Sequence, residues 1–254
     1  MRIKIADVGI DTCSFEKVVE RITEHLLLKK QPEYVVTPNA QHIVLLQKDA
    51  AFYQIYRQAF LVVPDGVPLL WSAKLLGTPL QGRVNGTDLF ERLCQVSAEK
   101  GFRVFLLGGR PGAAKAAARL LQSRNPDLEI VGTHCPPYGF ENSQEELRLI
   151  NSKIKTLDPD ILFVGLGAPK QEKWIYSNCQ EIGVPISIGI GVSFELVSGM
   201  VKRAPKPMQQ LGLEWLFRLF MEPRRLWKRY VLGNTIFLWL VIKQRFRMFP
   251  PPMQ

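Results

Sequence analysis

The feature that most constrains this chain is a series of short, largely apolar segments separated by stretches of helical periodicity. A strand with one wet face alternates apolar and polar side chains. A run without alternation has to be covered on both faces. The pattern predicts strands over 2–8, 34–37, 60–64, 103–107, 128–133, 161–166 and 185–190. Between them it predicts helices over 14–29, 40–47, 49–59, 67–76, 87–100, 111–124 and 170–178. A further helix runs to Leu157 and opens on a capping box, Asn142-Ser-Gln-Glu145. Strands alternating with helices specify an α/β fold: a Rossmann-like, mostly parallel sheet with helices on both faces. The core is expected to span 1–200, and a basic, aromatic, helical appendage 201–254.

Parallel sheets of this kind bind ligands beyond the carboxyl ends of their strands. The residues there are Thr37-Pro-Asn39, Pro64-Asp65-Gly66, Gly108-Gly-Arg-Pro-Gly112, Gly165-Leu-Gly-Ala-Pro-Lys-Gln171 and Gly189-Ile-Gly191. Glycine lets backbone approach a phosphate, and a helix start offers N–H groups to an anion. Any one such turn also serves simply to join strand to helix. Three on one edge point to a nucleotide diphosphate. A dinucleotide fingerprint is not complete: Phe194 stands where the third glycine of the motif belongs, which counts against a nicotinamide-linked oxidoreductase.

Asp65 follows a buried strand directly and has two readings. It could take a proton from an attacking hydroxyl, or it could cap the helix over 67–76. Arg83, in a polar loop with Asn85 and Asp88, is either a phosphate partner or a solvated arginine. Asp158-Pro-Asp160 imitates a metal-holding pair of carboxylates. It precedes a strand, at the wrong edge of the sheet, and is read as a turn. Cys13, Cys94, Cys135 and Cys179 lie far apart without ligand spacing, so neither a metal site nor a disulfide framework is expected.

Charge is concentrated in the last fifth of the chain. From Lys202 to Arg247, eleven basic residues face two acidic ones, so that stretch is +9 of a net +10. Trp, Phe, Leu and Ile are interleaved with the cations there. That mixture suits a bilayer interface better than nucleic acid, whose phosphates call for a surface dominated by cations. Core helices or an oligomer contact are the other readings. The longest apolar run, 230–242, contains Asn234 and is too short to span a bilayer. The first residues read as a strand and not as a secretory leader.

Taken together, Thr37-Pro-Asn39, Pro64-Asp65-Gly66, Arg83-Val-Asn-Gly-Thr-Asp88, Leu107-Gly-Gly109, Gly165-Leu-Gly-Ala-Pro-Lys-Gln-Glu172, Arg203-Ala-Pro205, Gly212-Leu-Glu-Trp215, Arg218 and Glu222-Pro-Arg-Arg225 resemble the WecG/TagA/CpsF family of glycosyltransferases (family 26). The likeness runs from about residue 5 to 243. It implies an inverting transferase that uses a UDP-sugar, needs no metal or other cofactor, and acts on a sugar carried by polyprenyl diphosphate. The product would feed a cell-surface polymer. By the same likeness Asp65 is the base, with Thr37 beside it at the catalytic centre. Thr37 and Asn39 would line the sugar pocket, Arg83, Gly109 and Gln171 would lie around the donor, Asn85, Gly108 and Gly167 would also bind substrate, and Arg218, Arg224 and Arg225 would hold the lipid diphosphate. The resemblance further implies a homo-oligomer formed through the core, and a cytoplasmic enzyme peripheral on the inner face of the plasma membrane, held at an anionic surface. A non-catalytic nucleotide-binding adaptor at the membrane is the alternative.

Overall fold

The computed structural model describes residues 1–28, 31–210 and 212–248. The segment expected as one strand over 2–8 is a hairpin: β1 (Arg2–Ile5) turns back into β2 (Val8–Asp11), antiparallel. Ala6 and Asp7 both take positive φ, 47° and 64°, the two-residue geometry that keeps twisted strands together. Asp7 is the one residue there that tolerates positive φ well, and without a glycine or asparagine beside it the turn signal is weak. Outside contacts hold it instead. Gln47 donates to Ala6 O at 2.9 Å, Tyr53 donates to Asp7 O at 2.9 Å, and Ala6 N donates to Gln244 Oε1 at 2.6 Å.

After α1 (Phe15–Leu27), capped by Ser14, come β3 (Glu33–Val36), α2 (Ala40–Leu46), α3 (Ala50–Gln58), β4 (Leu61–Val62), α4 (Val67–Leu75) and α5 (Gly86–Lys100). The second half brings β5 (Val104–Gly108), α6 (Ala113–Arg124), β6 (Ile130–His134), α7 (Gln144–Leu157), β7 (Ile161–Gly165), α8 (Lys170–Ile182) and β8 (Ile186–Gly189). The end is helical: α9 (Ser193–Val197), α10 (Lys206–Gln210), α11 (Glu214–Met221) and α12 (Pro223–Met248). Expected starts move by a residue or two where the cap lies elsewhere. Ser143, not Asn142, caps α7, and Gly112 in a left-handed conformation precedes α6, leaving Pro111 outside it. The predicted end of α1 at Lys29 and the tail beyond Met248 lie outside the described residues.

The main sheet has six strands in the order β4-β3-β8-β7-β5-β6, and every pairing is parallel. The non-alternating runs are explained by what covers each face. Val104, Leu106, Ile161 and Phe163 enter a layer with α1, α5, α6 and α9. Phe105, Leu107, Leu162 and Val164 enter the opposite layer, with α2, α3, α7, α8 and the hairpin. Successive side chains point to opposite faces of a strand, so both sets have to be apolar.

α12 joins that second layer. Gly233, Phe237 and Val241 recur every four residues and are buried against the core. On the other side Val231, Leu232, Leu238, Trp239 and Phe246 are exposed. Among the described residues no helix is long and apolar enough to cross a membrane.

Candidate active site

The carboxyl edge of the sheet opens into a cleft of about 860 Å³, lined also by Lys202, Arg203, Glu214, Trp215 and Arg218 and by Asn234 of α12. Strand order gives the cleft two ends. Thr37, Asn39 and Asp65 follow β3 and β4 at one end. Gly109, Arg110 and Gly167 follow β5 and β7 at the other, with Gly191 after β8 between them. Of the residues expected around a site, Thr37, Asn39, Asp65, Arg83, Asn85, Gly109, Gly167, Gln171 and Arg218 line this cleft.

Asp65 does not cap α4. The cap position belongs to Gly66, and no side chain bonds the free N–H groups there. The Asp65 backbone N–H is tied to Pro38 O at 2.8 Å, and its Oδ1 accepts from Asn85 Nδ2 at 3.1 Å. Asn85 is itself fixed, because its Oδ1 caps α5 through the N–H groups of Thr87 (3.0 Å) and Asp88 (3.3 Å). Burial pushes the Asp65 carboxyl up to about 6, and Glu214 and Asp88 push the same way. The Arg83 guanidinium and the Asn85 hydrogen bond pull it back. A carboxylate poised near neutral pH and facing a cleft is a base that can both take and release a proton.

Arg83 is not a solvated arginine. It donates to Glu214 Oε2 at 2.5 Å and lies 4.0 Å from Asp88. Arg203 completes the cluster, 2.6 Å from Asp88 and 3.4 Å from Glu214. Two guanidinium groups facing Glu214 and Asp88, with Glu91 a further 3.9 Å from Arg203, tie the start of α11 to α5 beside Asn85. The sequence placed Arg203 and Glu214 in motifs without assigning either a partner.

At the other end the turns are closed differently from the expectation of open amides. Gly109 N donates to Gly165 O at 2.8 Å, and Arg110 N donates to Glu195 Oε1 at 2.8 Å. Gln171, only 3% exposed, accepts from both Gly167 N (3.2 Å) and Gly191 N (3.0 Å) through one oxygen. These four N–H groups are spent within the protein, so Gln171 joins two turns from beneath. Its Nε2 donates to Glu172, a buried carboxyl raised to about 7.

Gly108 does not line the cleft. With φ at 99°, it packs so tightly on β7 that a Cβ there would meet Gly165 O at 2.8 Å, and this close approach is what requires glycine. Arg224 lies exposed at the start of α12 and is not among the lining residues; Arg225 follows it in the helix, and its side chain lies outside the described residues. Sequence reasoning missed Arg110, Tyr138, Lys202 and Glu195, all of which line the cleft. Arg110 was legible as the residue after the glycine pair, whereas Tyr138 sits in a loop with no motif.

Asp158 and Asp160 lie at the opposite edge of the sheet, where Arg103 donates to Asp158 O and to Asp160 Oδ2, at 2.8 Å each. Among the described residues no group of three or more His, Cys, Asp or Glu is placed to hold a metal ion. The four cysteines are free thiols.

Comparison with known proteins gives a consistent picture. The model of the glycosyl transferase WecG/TagA/CpsF family matches residues 3–250. An N-acetylglucosaminyldiphosphoundecaprenol N-acetyl-beta-D-mannosaminyltransferase of Bacillus subtilis (strain 168) is 31% identical over 211 residues, covering 83% of this chain and 80% of that protein. The protein of the same description in Staphylococcus aureus (strain MW2) is 28% identical over 247 residues, covering 96% and 93%.

Proposed function

The chain belongs to the WecG/TagA/CpsF family of glycosyltransferases, and we propose that it transfers N-acetylmannosamine from its UDP derivative to N-acetylglucosamine on undecaprenyl diphosphate, with inversion and without a metal. Both sugars are taken from the descriptions of the two relatives. The observation that carries the mechanism is Asp65, held by Asn85 at one end of a cleft whose other end is built from glycine turns. In this reading the donor diphosphate lies towards Gly109 and Gly167, and the acceptor enters beside Thr37 and Asn39. The acceptor hydroxyl attacks the anomeric carbon from the side opposite UDP. A bond forms from that oxygen to the carbon, the bond from carbon to phosphate oxygen breaks, and its electron pair leaves with UDP. Asp65 takes the hydroxyl proton.

The leaving phosphate needs positive charge placed in advance. The amides of Gly109, Arg110, Gly167 and Gly191 are already bonded, so the charge comes from cations lining the cleft: Arg110, Lys202 and Arg218. Incubation of the protein with a panel of UDP-sugars and a short-chain polyprenyl-diphosphate–N-acetylglucosamine, in detergent with EDTA, is expected to give product from UDP-N-acetylmannosamine. Product from another sugar alone, or only when a divalent ion is restored, would refute the donor or the metal-free step respectively.

The exposed apolar side of α12, with Lys243 placed 4.8 Å over the Trp239 ring, is read as a peripheral membrane contact. Replacing both Trp239 and Phe246 by Ser is expected to weaken flotation with anionic phospholipid vesicles about tenfold or more. Unchanged flotation would exclude this side of α12 as the contact.

A further inference from the structure

We propose that Asn234 of α12 and Gln41 of α2 form the subsite for the acceptor's sugar. The proposal rests on the transferase reading above. Asn234 lies inside the long apolar run of 230–242; unlike its neighbour Thr235, whose hydroxyl bonds back to Val231 O, its carboxamide is not accounted for by the helix or by membrane contact. In the structure it turns away from the exposed apolar side and lines the cleft. Its neighbour Gly233 brings the helix close to α2, where an added Cβ would stand 3.2 Å from Gln41 Oε1. Gln41 lines the cleft too, and Oε1 is buried with no hydrogen-bond partner among the described residues. An acceptor oxygen enclosed without a donor costs stability, and such groups are rare in folded proteins. A ligand hydroxyl or amide N–H that met this carboxamide, after a small turn of the side chain towards the cleft, would satisfy it.

Position identifies the ligand. Gln41 stands two residues after Asn39, at the end of the cleft that holds Asp65 and away from the glycine turns. A hydroxyl presented to Asp65 carries the rest of its ring within a few ångströms, and the two carboxamides line the same cleft. Carboxamides offer both donor and acceptor to a sugar's hydroxyl and acetamido groups. Asn234 stands on the helix whose outer side is apolar, with Gln41 close by on α2, so a lipid-linked sugar would meet both as its chain lay along α12.

The test is steady-state transfer by Asn234→Ala and Gln41→Ala, varying the polyprenyl-diphosphate–N-acetylglucosamine acceptor and the UDP-sugar separately. We expect KM for the acceptor to rise about tenfold in each variant, the loss of one or two hydrogen bonds. KM for the donor, UDP affinity and the thermal midpoint should stay near those of the unaltered chain. An unchanged acceptor KM would overturn the subsite, as would a rise accompanied by weaker UDP binding or a lower midpoint, because then the residues only seat α12. Absence of transfer by the unaltered chain from every donor would instead sink the transferase reading, and the subsite with it.

Discussion

Asp65→Asn is expected to lower turnover by about 10²- to 10⁴-fold, the range that a positioned general base contributes, while UDP affinity stays within about twofold of the unaltered chain. The substitution keeps the shape of the side chain, and a carboxamide oxygen can still accept from Asn85 Nδ2. What it removes is the capacity to take a proton. Because burial lifts the Asp65 carboxyl to about 6, the ionised base accumulates only as pH rises through that value. kcat/KM should therefore climb with unit slope below about pH 6 and level off above it, and the Asn variant should lack that limb. Asn85→Ala should move the limb to higher pH, because the lost hydrogen bond favours the charged form. The Asn variant should also be at least as stable at neutral pH. An acid whose folded pKa lies above its unfolded value loses stabilising free energy as pH rises through the folded value, so removing the charge relieves that cost. Full turnover in the variant would dismiss Asp65 as the base.

The second large effect is expected from Gln171→Ala. Its single oxygen serves the backbone N–H groups of Gly167 and Gly191, and its nitrogen serves Glu172. Truncation strands two amides and withdraws the one side-chain donor recorded on a buried carboxyl. Each stranded buried group costs about 1–3 kcal/mol, so a loss of roughly 2–5 kcal/mol is expected in chemical denaturation. The Glu172 carboxyl, already raised to about 7, should rise further, since the Gln171 hydrogen bond pulls it down. The turns after β7 and β8 would lose their shared anchor, and UDP binding should weaken about tenfold or more. A variant with unaltered stability and UDP affinity would show that the turns hold themselves.

The comparison of these two residues shows how far the sequence could be read. The parallel sheet followed from apolar runs too continuous for a one-sided strand, and the burial of Val104 to Leu107 and Ile161 to Val164 on alternate faces accounts for it. Asp65 was findable because it follows a strand end, but whether it capped α4 or faced a cleft depended on Asn85, twenty residues later. Gln171 was assigned to the donor's surroundings, whereas its amide is committed to two turns brought together only by the β7–β8 pairing. Arg83 had two readings, a phosphate partner or a solvated arginine, and Arg203 was only part of a motif; Glu214, at the start of α11, and Asp88 join them in one cluster. The hairpin was missed for a related reason: its turn is stabilised by Gln47, Tyr53 and Gln244, not by its own residues. Local signals record local preferences, and each of these features is set by chain segments far apart in sequence.

The hairpin turn also bears on how the molecule is assembled during synthesis. Gln244 accepts from Ala6 N and donates to Lys4 O, across sequence separations of 238 and 240 residues. A chain folding as it leaves the ribosome can form its sheet long before residue 244 has been made. Through that interval the backbone of the first turn waits with one N–H and one carbonyl to be taken up by water, and α2 waits with Gln41 open. The helix that brings Asn234 to the cleft is then also the last strap on the opening hairpin. A nascent chain would thus complete its cleft only as the apolar outer side of α12 emerges; if that side meets lipid as proposed, assembly of the site and arrival at the membrane would fall in the same moment.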